Sequence, residues 1–265
     1  MLLAGLAPLW AVEDNLPRGS SYLHFTLRGL SADEYLDQNE IRVPTQYQTA
    51  DADYEDQYAE LTYARGWTPD ITLLAKTIYR RRELDGANGN ISQSGVSGVY
   101  LATRQRLSRL GSASRLTAET GVWLPAQADR DNALPLESGN IDWVMTMSYA
   151  QDFFPTDGGF EMDFGYRFRN GDPDDELFFD TRLHIDARRL FKVSLGYHVV
   201  ESTDDNLTEY PQTDYPNERG FQGAEVEFSK LLSSRWQVTL GYEQVLKGRN
   251  VFRGEGWRLG MRRYF

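Results

Sequence analysis

The sequence predicts an all-β fold, a single antiparallel transmembrane β-barrel of about twelve strands with short periplasmic turns and longer external loops. Apolar and polar side chains alternate along most of the chain, which is the period of a strand with two different faces. The alternating segments are about 11–15 residues long, enough to cross a bilayer at a tilt of about 40°. The connections between them are short and long in turn, as in outer-membrane barrels.

The strands are predicted in twelve places along the chain. They lie at 20–30, 55–67, 70–83, 96–109, 114–125, 141–154, 159–170, 177–188, 191–203, 221–231, 234–247 and 255–265. The long connections fall near 31–54, 84–95, 126–140, 171–176, 204–220 and 248–254. Segment 40–50 could be an extra strand or an extension of one, and we assign it to a loop.

The last predicted strand shows the two faces. Trp257, Leu259 and Met261 fall on one side, whereas Arg258 and Arg262 fall on the other. One face suits hydrocarbon and the other suits water. An aromatic final residue, here Phe265, commonly ends such barrels, so the C-terminal strand is expected to be recognised by the barrel-assembly machinery.

Composition excludes several classes of protein. No run reaches the roughly 18 apolar residues that a spanning helix needs. The net charge of −11 argues against nucleic acid as a partner. The absence of cysteine excludes thiolate metal sites, cysteine nucleophiles and disulfides. We expect no cofactor and no bound metal.

Aromatic residues are numerous, with 15 Tyr, 13 Phe and 6 Trp, and suit the girdles that flank the lipid band of a barrel. Trp67 and Trp236 fall at the short-turn ends of predicted strands. Trp123, Trp143 and Trp257 fall at the long-loop ends. These five residues are predicted to form the two girdles.

The first eleven residues form an apolar run that ends in small residues, with Ala11 as a plausible cleavage point. They predict a signal segment that lacks its basic start, and residues 12–265 then form the barrel. The alternative is a short buried segment or a plug in the lumen.

Charged side chains fall on the polar face of the predicted strands, and these are candidates for lining the lumen. They are Arg28, Lys76, Arg80, Arg104, Arg106, Asp163, Arg167, Arg169, Asp180, Arg182, Glu225, Glu227, Glu243, Arg258 and Arg262. One interpretation is a salt-bridged filling that stiffens a narrow barrel. The other is a charged constriction that selects permeants by sign. The two can hold together.

Three histidines, with Ser194 and Asp180 near two of them, raise the possibility of a hydrolase. In the predicted hairpin His184 lies opposite about Leu195, and His198 opposite about Thr181. A catalytic triad needs contacts of about 3 Å, so we predict no catalytic residues and no enzyme.

The predicted external loops are acidic. Among their residues are Asp56 and Glu176, and oxygens of this kind could hold calcium or magnesium shared with lipopolysaccharide. We interpret them instead as solvated loop charge, because no spaced ligand pattern is present.

Four runs in the middle third resemble one family. They are SGVSGV at 94–99, VWLP at 122–125, LPLESGNID at 134–142 and GYRFRNGDPDDEL at 165–177. Together they resemble the MetA-pathway-of-phenol-degradation family of outer-membrane barrels. The chain departs from that pattern after Pro125, where the usual Gly is missing. It also departs from barrel C-termini in general at Arg263, where they usually carry an apolar residue. The resemblance implies a barrel that moves small, aromatic or apolar compounds, and it brings no catalytic residues.

We therefore expect a monomer in the outer membrane of a Gram-negative bacterium, in contact with lipid and lipopolysaccharide. Its expected function is passive passage of a small-molecule permeant through a charged lumen. The alternatives are a structural or assembly barrel with a plugged lumen and, less favoured, an outer-membrane lipid hydrolase.

Overall fold

The computed structural model describes residues 15–36, 42–44, 53–86, 89–109, 113–126, 136, 139–153, 157–170, 175–187, 191–203, 220–249 and 251–265. Within these ranges the chain forms thirteen β-strands. None of the described residues belongs to a helix long and apolar enough to cross a membrane. The predicted signal segment at 1–11 lies outside the described residues.

The strands follow one another along the chain, separated by short turns and, in places, by longer connections. They are β1 (Ser21–Leu36), β2 (Arg42–Pro44), β3 (Asp53–Gly66), β4 (Ile71–Gly86), β5 (Gly89–Arg109), β6 (Ser114–Pro125), β7 (Asp142–Phe153), β8 (Gly158–Arg169), β9 (Glu176–Ala187), β10 (Phe191–Ser202), β11 (Gly220–Ser233), β12 (Trp236–Arg249) and β13 (Val251–Tyr264).

Twelve long strands close into one antiparallel barrel, which confirms the predicted fold class. Each long strand pairs with the next along the chain, and β13 pairs with β1 from Tyr264 opposite Tyr22 to Val251 opposite Leu36. Closure removes the exposed edges that an open sheet would present. Both ends of the barrel sequence, at Ser21 and Phe265, meet at the end that carries the short turns, where their backbones exchange hydrogen bonds.

The prediction of a loop over 40–50 was wrong for Arg42–Pro44. These residues form β2, which pairs with Glu34, Tyr35 and Leu36 of β1. Strand β3 pairs only with the part of β1 from Ser21 to Ala32. Strand β2 therefore extends the sheet where β3 does not reach.

The strands β4 and β5 run further than predicted. Their backbone pairing continues to Gly86 opposite Gly89, through most of the segment 84–95 that was predicted as a loop. Gly89 has a φ of 117°, a conformation that favours glycine. Backbone pairing in such a hairpin does not depend on contact with lipid. A prediction that relies on alternating apolar residues therefore underestimates the length of its strands.

The barrel is apolar outside and charged inside, which is the reverse of a soluble protein. Large hydrophobic side chains such as Phe164, Leu195 and Leu259 are exposed on the outer face. Charged side chains such as Arg80, Glu176 and Asp142 are buried within the barrel. The outer face is the surface that hydrocarbon chains would cover.

Four of the five predicted girdle tryptophans lie on the outside. Trp67, Trp143 and Trp257 are 63%, 56% and 52% exposed. Trp236 is half-buried, with the guanidinium of Arg263 5.3 Å from its ring centroid. The Trp236 ring therefore gives the guanidinium of Arg263, on the outer face, a favourable cation–π partner near the membrane edge.

The girdle assignment of Trp123 was wrong, because this side chain lies inside the barrel and is only 7% exposed. Trp123 shares the inner face of β6 with Glu119 and Gly121, both of which are buried. Its ring lies over Gly98 of β5, where a Cβ would be 2.7 Å from the indole. The missing side chain at Gly98 creates the space for an inward tryptophan.

Candidate functional site in the lumen

A continuous chain of ion pairs runs along the inner wall from β9 to β1, and we call it the central belt. Its members are Arg28, Glu243, Arg258, Glu225, Arg182 and Glu227. Arg258 Nη2 lies 3.0 Å from Glu225 Oε2 and 3.6 Å from Glu243 Oε2. Arg28 pairs with Glu243 at one end, and Arg182 pairs with Glu225 at the other.

Strand register and glycines bring the central belt together. Glu225 lies directly opposite Glu243 between β11 and β12, so two like charges would repel each other without the arginines between them. A Cβ at Gly196 would lie 2.5 Å from Glu225 Cγ, and one at Gly256 would lie 2.7 Å from Glu243 Oε1. Both carboxylates therefore fold over glycines of the neighbouring strands.

A second group of polar contacts lines the wall formed by β3 to β6. Glu119 accepts hydrogen bonds from Tyr100 Oη at 3.0 Å and Arg104 Nε at 2.9 Å. Lys76 Nζ lies 3.3 Å from Glu60. Tyr58 Oη accepts a hydrogen bond from Arg28 Nη1 at 2.8 Å, and this contact connects the wall to the central belt.

Arginines also bind carboxylates near the loop end of the lumen. Arg80 Nε donates to Asp56 at 2.7 Å, and Arg169 Nη2 lies 2.6 Å from Glu176. The expectation that Asp56 and Glu176 are solvated loop charges was wrong, since both are buried inside the barrel. Asp56 lies on the inward-facing parity of β3, within the strand predicted at 55–67. Strand β9 begins one residue earlier than predicted, at Glu176, and this residue continues the alternation into the lumen.

An apolar cluster occupies the lumen between the central belt and the loop end. On β9 Phe178 lies between Glu176 and Arg182, and on β11 Phe221 lies beyond Glu225. Val200 is paired directly with both phenylalanines. Trp123, Tyr100, Val144 and Val245 belong to the same buried cluster. The lumen is therefore charged at mid-height and partly apolar above.

A cavity of about 520 Å³ fills the half of the lumen on the short-turn side of the central belt. Its described lining carries seven basic side chains (Lys76, Arg104, Arg115, Arg182, Lys192, Arg258 and Arg262) and five acidic ones (Glu60, Asp152, Glu161, Asp186 and Glu227), a difference of +2. The whole chain carries −11. This part of the lumen therefore has the opposite sign to the protein as a whole.

The residues before β1 fold into the mouth of this cavity. Leu16 N donates to Thr72 Oγ1 at 3.0 Å, and Arg106 Nη2 donates to the Asn15 carbonyl at 3.4 Å. Leu16 packs against buried apolar side chains at the short-turn end of the lumen, where Tyr22 and Leu74 also line the cavity. A Cβ at Gly66 would lie 2.2 Å from the Pro17 carbonyl oxygen, so the glycine allows the segment to approach β3.

The structure places all fifteen lumen candidates on the inner face of the barrel. Besides the belt and wall residues, Arg167 pairs with Asp142, Arg106 Nη1 lies 3.5 Å from Asp70, and Arg262 Nη2 lies 3.3 Å from His24. Asp163 and Asp180 lie directly opposite each other. Sequence reasoning missed Asp142, which follows an apolar residue at a strand end. Asp142, Val144 and Thr146 are two residues apart in turn and therefore share one face of β7, and this spacing could have identified Asp142 as inward-facing.

The predicted pairing of β9 with β10 was wrong by one residue. His184 lies opposite Ser194, and His198 lies opposite Asp180. The nearest carboxylates to His184 are Glu161 at 3.8 Å and Asp186 at 3.9 Å, which is too long for a hydrogen bond. Among the described residues, Ser194 Oγ has no hydrogen-bond partner, so no Ser–His–acid triad is assembled.

Comparison with known proteins finds similarity in structure alone. No protein-family model and no curated protein matches the sequence. An outer membrane channel from Pseudomonas putida F1 superposes with a TM-score of 0.81 at 14% identity, covering 97% of this chain and 100% of that one. The NanC porin gives a TM-score of 0.56 at 9% identity, covering 90% and 98%. The KdgM porin, solved with disordered oligogalacturonate, gives 0.51 at 8% identity, covering 93% and 99%. At these identities the similarity establishes the fold, a closed twelve-stranded barrel of the outer-membrane type.

Proposed function

We propose that the protein is an outer-membrane channel for passive passage of small molecules, with aromatic or otherwise apolar compounds among its permeants. One observation carries the proposal: the lumen places an apolar cluster and a charged belt in series along one path. Phe178, Phe221 and Trp123 offer contact to a ring or hydrocarbon, and Arg258 and Arg182 of the central belt lie next along the path. A purely structural barrel does not require an apolar surface followed by a charged belt.

Two further lines support a channel with a selective lumen. The central belt lies at the end of a 520 Å³ cavity, and cavities of this size admit small organic molecules. The runs in the middle third resemble the MetA-pathway-of-phenol-degradation family, and that resemblance implies passage of small, aromatic or apolar compounds. The fold shared with the P. putida outer membrane channel agrees with that role.

The proposed setting is the outer membrane of a Gram-negative bacterium. We propose removal of the signal segment 1–11 after Ala11, insertion by the barrel-assembly machinery through the strand that ends at Phe265, and function as a monomer. Outer-membrane lipid and lipopolysaccharide would contact the apolar outer face.

A plugged structural barrel is the second candidate, and specific contacts favour it. The side chains of Arg28, Glu243 and Arg182 are almost fully buried by one another and by their neighbours. Asn15 and Leu16 occupy part of the short-turn mouth. A channel with these features passes solute only when belt side chains exchange partners, whereas a plugged barrel never does.

Conductance of the purified, folded protein in planar bilayers separates the two. We expect discrete current steps, and substitution of Arg182 or Arg167 by Glu should shift the ion selectivity towards cations. Arg81→Glu is the matched control, because that side chain is 56% exposed and lies on the outer face. A well-folded protein without current steps would exclude the channel, and hydrolysis of phospholipid by the pure protein would favour the lipid hydrolase instead.

A further inference from the structure

Two buried carboxylates face each other in the lumen wall, next to the end of the central belt that Arg182 forms. Asp163 of β8 lies directly opposite Asp180 of β9. Side chains paired in this way have Cβ atoms about 4.5–5.5 Å apart, and like charges in this position repel. Ser148 of β7 lies opposite Asp163 on its other side, and His198 of β10 lies opposite Asp180. The four residues form one row across four strands.

This pair is an exception among the buried acids. The described residues include ten buried carboxylates, Asp56, Glu60, Glu119, Asp142, Glu161, Asp163, Glu176, Asp180, Glu225 and Glu243. Eight of them have a basic side chain within salt-bridge distance. Asp163 and Asp180 have none, and they are the two that face each other. The buried carboxylates without a basic partner therefore lie together at one place in the wall.

The nearest cations are engaged with other carboxylates. Arg182, two residues from Asp180, pairs with Glu225, and Arg104 pairs with Glu119. Turning Arg104 to the aspartates would leave the buried Glu119 without its cation, which is costly. Turning Arg182 would remove one of the two arginines, Arg182 and Arg258, that pair with Glu225 opposite Glu243. With those arginines engaged elsewhere, the two facing carboxylates are compensated either by a proton or by a cation from solution.

Oxygen atoms around the pair are available as ligands. Ser148 hydrogen-bonds to one oxygen of Asp163. Among the described residues, Asp163 Oδ1, Asp180 Oδ1 and Thr146 Oγ1 have no hydrogen-bond partner. All three residues are more than nine-tenths buried, at 8%, 7% and 6% exposure. Thr146 faces the same part of the wall, since it lies opposite Gly165, the next inward-facing residue after Asp163 on β8.

The neighbouring rings define the rest of the site. The ring of Phe178 lies over Gly165 and shields the pair from the loop end of the lumen. The imidazole of His198 leans over Gly223 of β11, away from Asp180, because its Nε2 lies 2.1 Å from the position of a Cβ at Gly223. The ligands are thus oxygens without a nitrogen, in a site that is partly dry.

We propose that Asp163 and Asp180, with the hydroxyls of Ser148 and Thr146, bind one divalent cation of the calcium type in the lumen wall. One divalent ion neutralises the two carboxylates. An all-oxygen set selects a hard cation, and the uneven arrangement suits calcium, which accepts irregular coordination, better than magnesium, which requires an octahedron. No third carboxylate or imidazole joins them in the described part of the chain, so waters complete the coordination. The site does not depend on the protein being a channel.

Calorimetric titration of the folded, chelator-treated protein with calcium chloride tests the site. We expect one calcium per chain, weakened by roughly tenfold or more in Asp163→Asn and in Asp180→Asn, because each removes one of two charged ligands. Asp53→Asn is the matched control: this aspartate is exposed at the outer end of β3, and its loss should leave binding unchanged. Magnesium should bind more weakly than calcium.

Thermal unfolding of the same variants gives a second, independent readout. Calcium should raise the Tm of the wild type but not of Asp163→Asn. Without calcium, Asp163→Asn should be at least as stable as the wild type, because the like-charge contact is relieved. Absence of calcium binding to the wild type would overturn the proposal. Binding that persists unchanged in both variants would also overturn it, by assigning the ion to other acidic residues such as those outside the lumen.

Discussion

The ring of Phe178 on β9 lies directly over Gly165 on β8, so that a Cβ at Gly165 would be 2.0 Å from Cζ of the phenylalanine. The same relationship recurs around the barrel, with Tyr100 over Gly121 and Trp123 over Gly98. Large inward side chains cannot all point to the axis of a narrow barrel. They lie sideways across glycines of the adjacent strand instead, and this arrangement keeps the apolar cluster against the wall.

Gly165→Ala should therefore destabilise the barrel by about 1–3 kcal/mol, the usual cost of forcing an extra methyl group into a packed interior. The measurement is the unfolding transition in detergent, followed by the change in electrophoretic mobility on heating. Gly241→Ala is the matched control, because its nearest contact is Arg258 Cβ at 3.4 Å. Equal losses in the two variants would contradict the packing argument.

A compensating substitution makes that prediction sharper. Phe178→Leu shortens the side chain that occupies the space over Gly165, so the double variant Gly165→Ala/Phe178→Leu should lose less stability than the sum of the two single losses. Additive losses would mean that the ring and the added methyl group do not compete for the same space.

Arg167→Met should cost far more stability than Arg115→Met. Arg167 pairs with Asp142, whose side chain is fully buried, and loss of the guanidinium leaves a buried charge, at a cost of about 3–5 kcal/mol. Arg115 pairs with Asp152, whose side chain is 52% exposed, so the loss there should be about 0–1 kcal/mol. The unfolding transitions of the two variants give the comparison, and similar values would show that the lumen around Asp142 is hydrated.

Strand positions could be predicted from the sequence because lipid imposes a strict alternation. In β8, Phe164 and Phe168 face outward while Asp163 and Arg167 face inward, and no other secondary structure satisfies that pattern. The same logic failed where lipid no longer acts. In the hairpin of β4 and β5 the backbone ladder continues to Gly86 opposite Gly89, and the sequence there shows no clean alternation of apolar and polar residues.

The sequence predicted which face of its strand each candidate residue occupies, but not which residue it pairs with. The inward face of Arg182 follows from its strand, whereas its pairing with Glu225 depends on how β9, β10 and β11 are aligned. A shift of one residue, as in the predicted pairing of His184, changes every partner across a hairpin. Trp123 shows a further limit: its place at the long-loop end of its strand favoured a girdle position, whereas its parity with Glu119 indicated the inner face.

Leu16→Asp should release the segment before β1 from the short-turn mouth. Leu16 packs against buried apolar side chains at the short-turn end of the lumen. A charged carboxylate in its place would favour contact with water over that packing. If the protein conducts, single-channel current in planar bilayers should increase. The control is Arg18→Asp, at an exposed position of the same segment, which should leave the current close to that of the wild type. An unchanged current in Leu16→Asp would mean that the segment does not limit passage.

Brominated lipids should quench the fluorescence of Trp143 and Trp257 but not that of Trp123. The first two indoles lie on the outer face, where bromine atoms on acyl chains can reach them. Trp123 lies behind the barrel wall against Gly98 and Tyr100, so the wall separates it from lipid. Variants that retain a single tryptophan, with phenylalanine at the other positions, allow each residue to be measured alone in reconstituted vesicles. Quenching of Trp123 as strong as that of Trp143 would place its ring in lipid and would reverse the inner and outer faces assigned to β6.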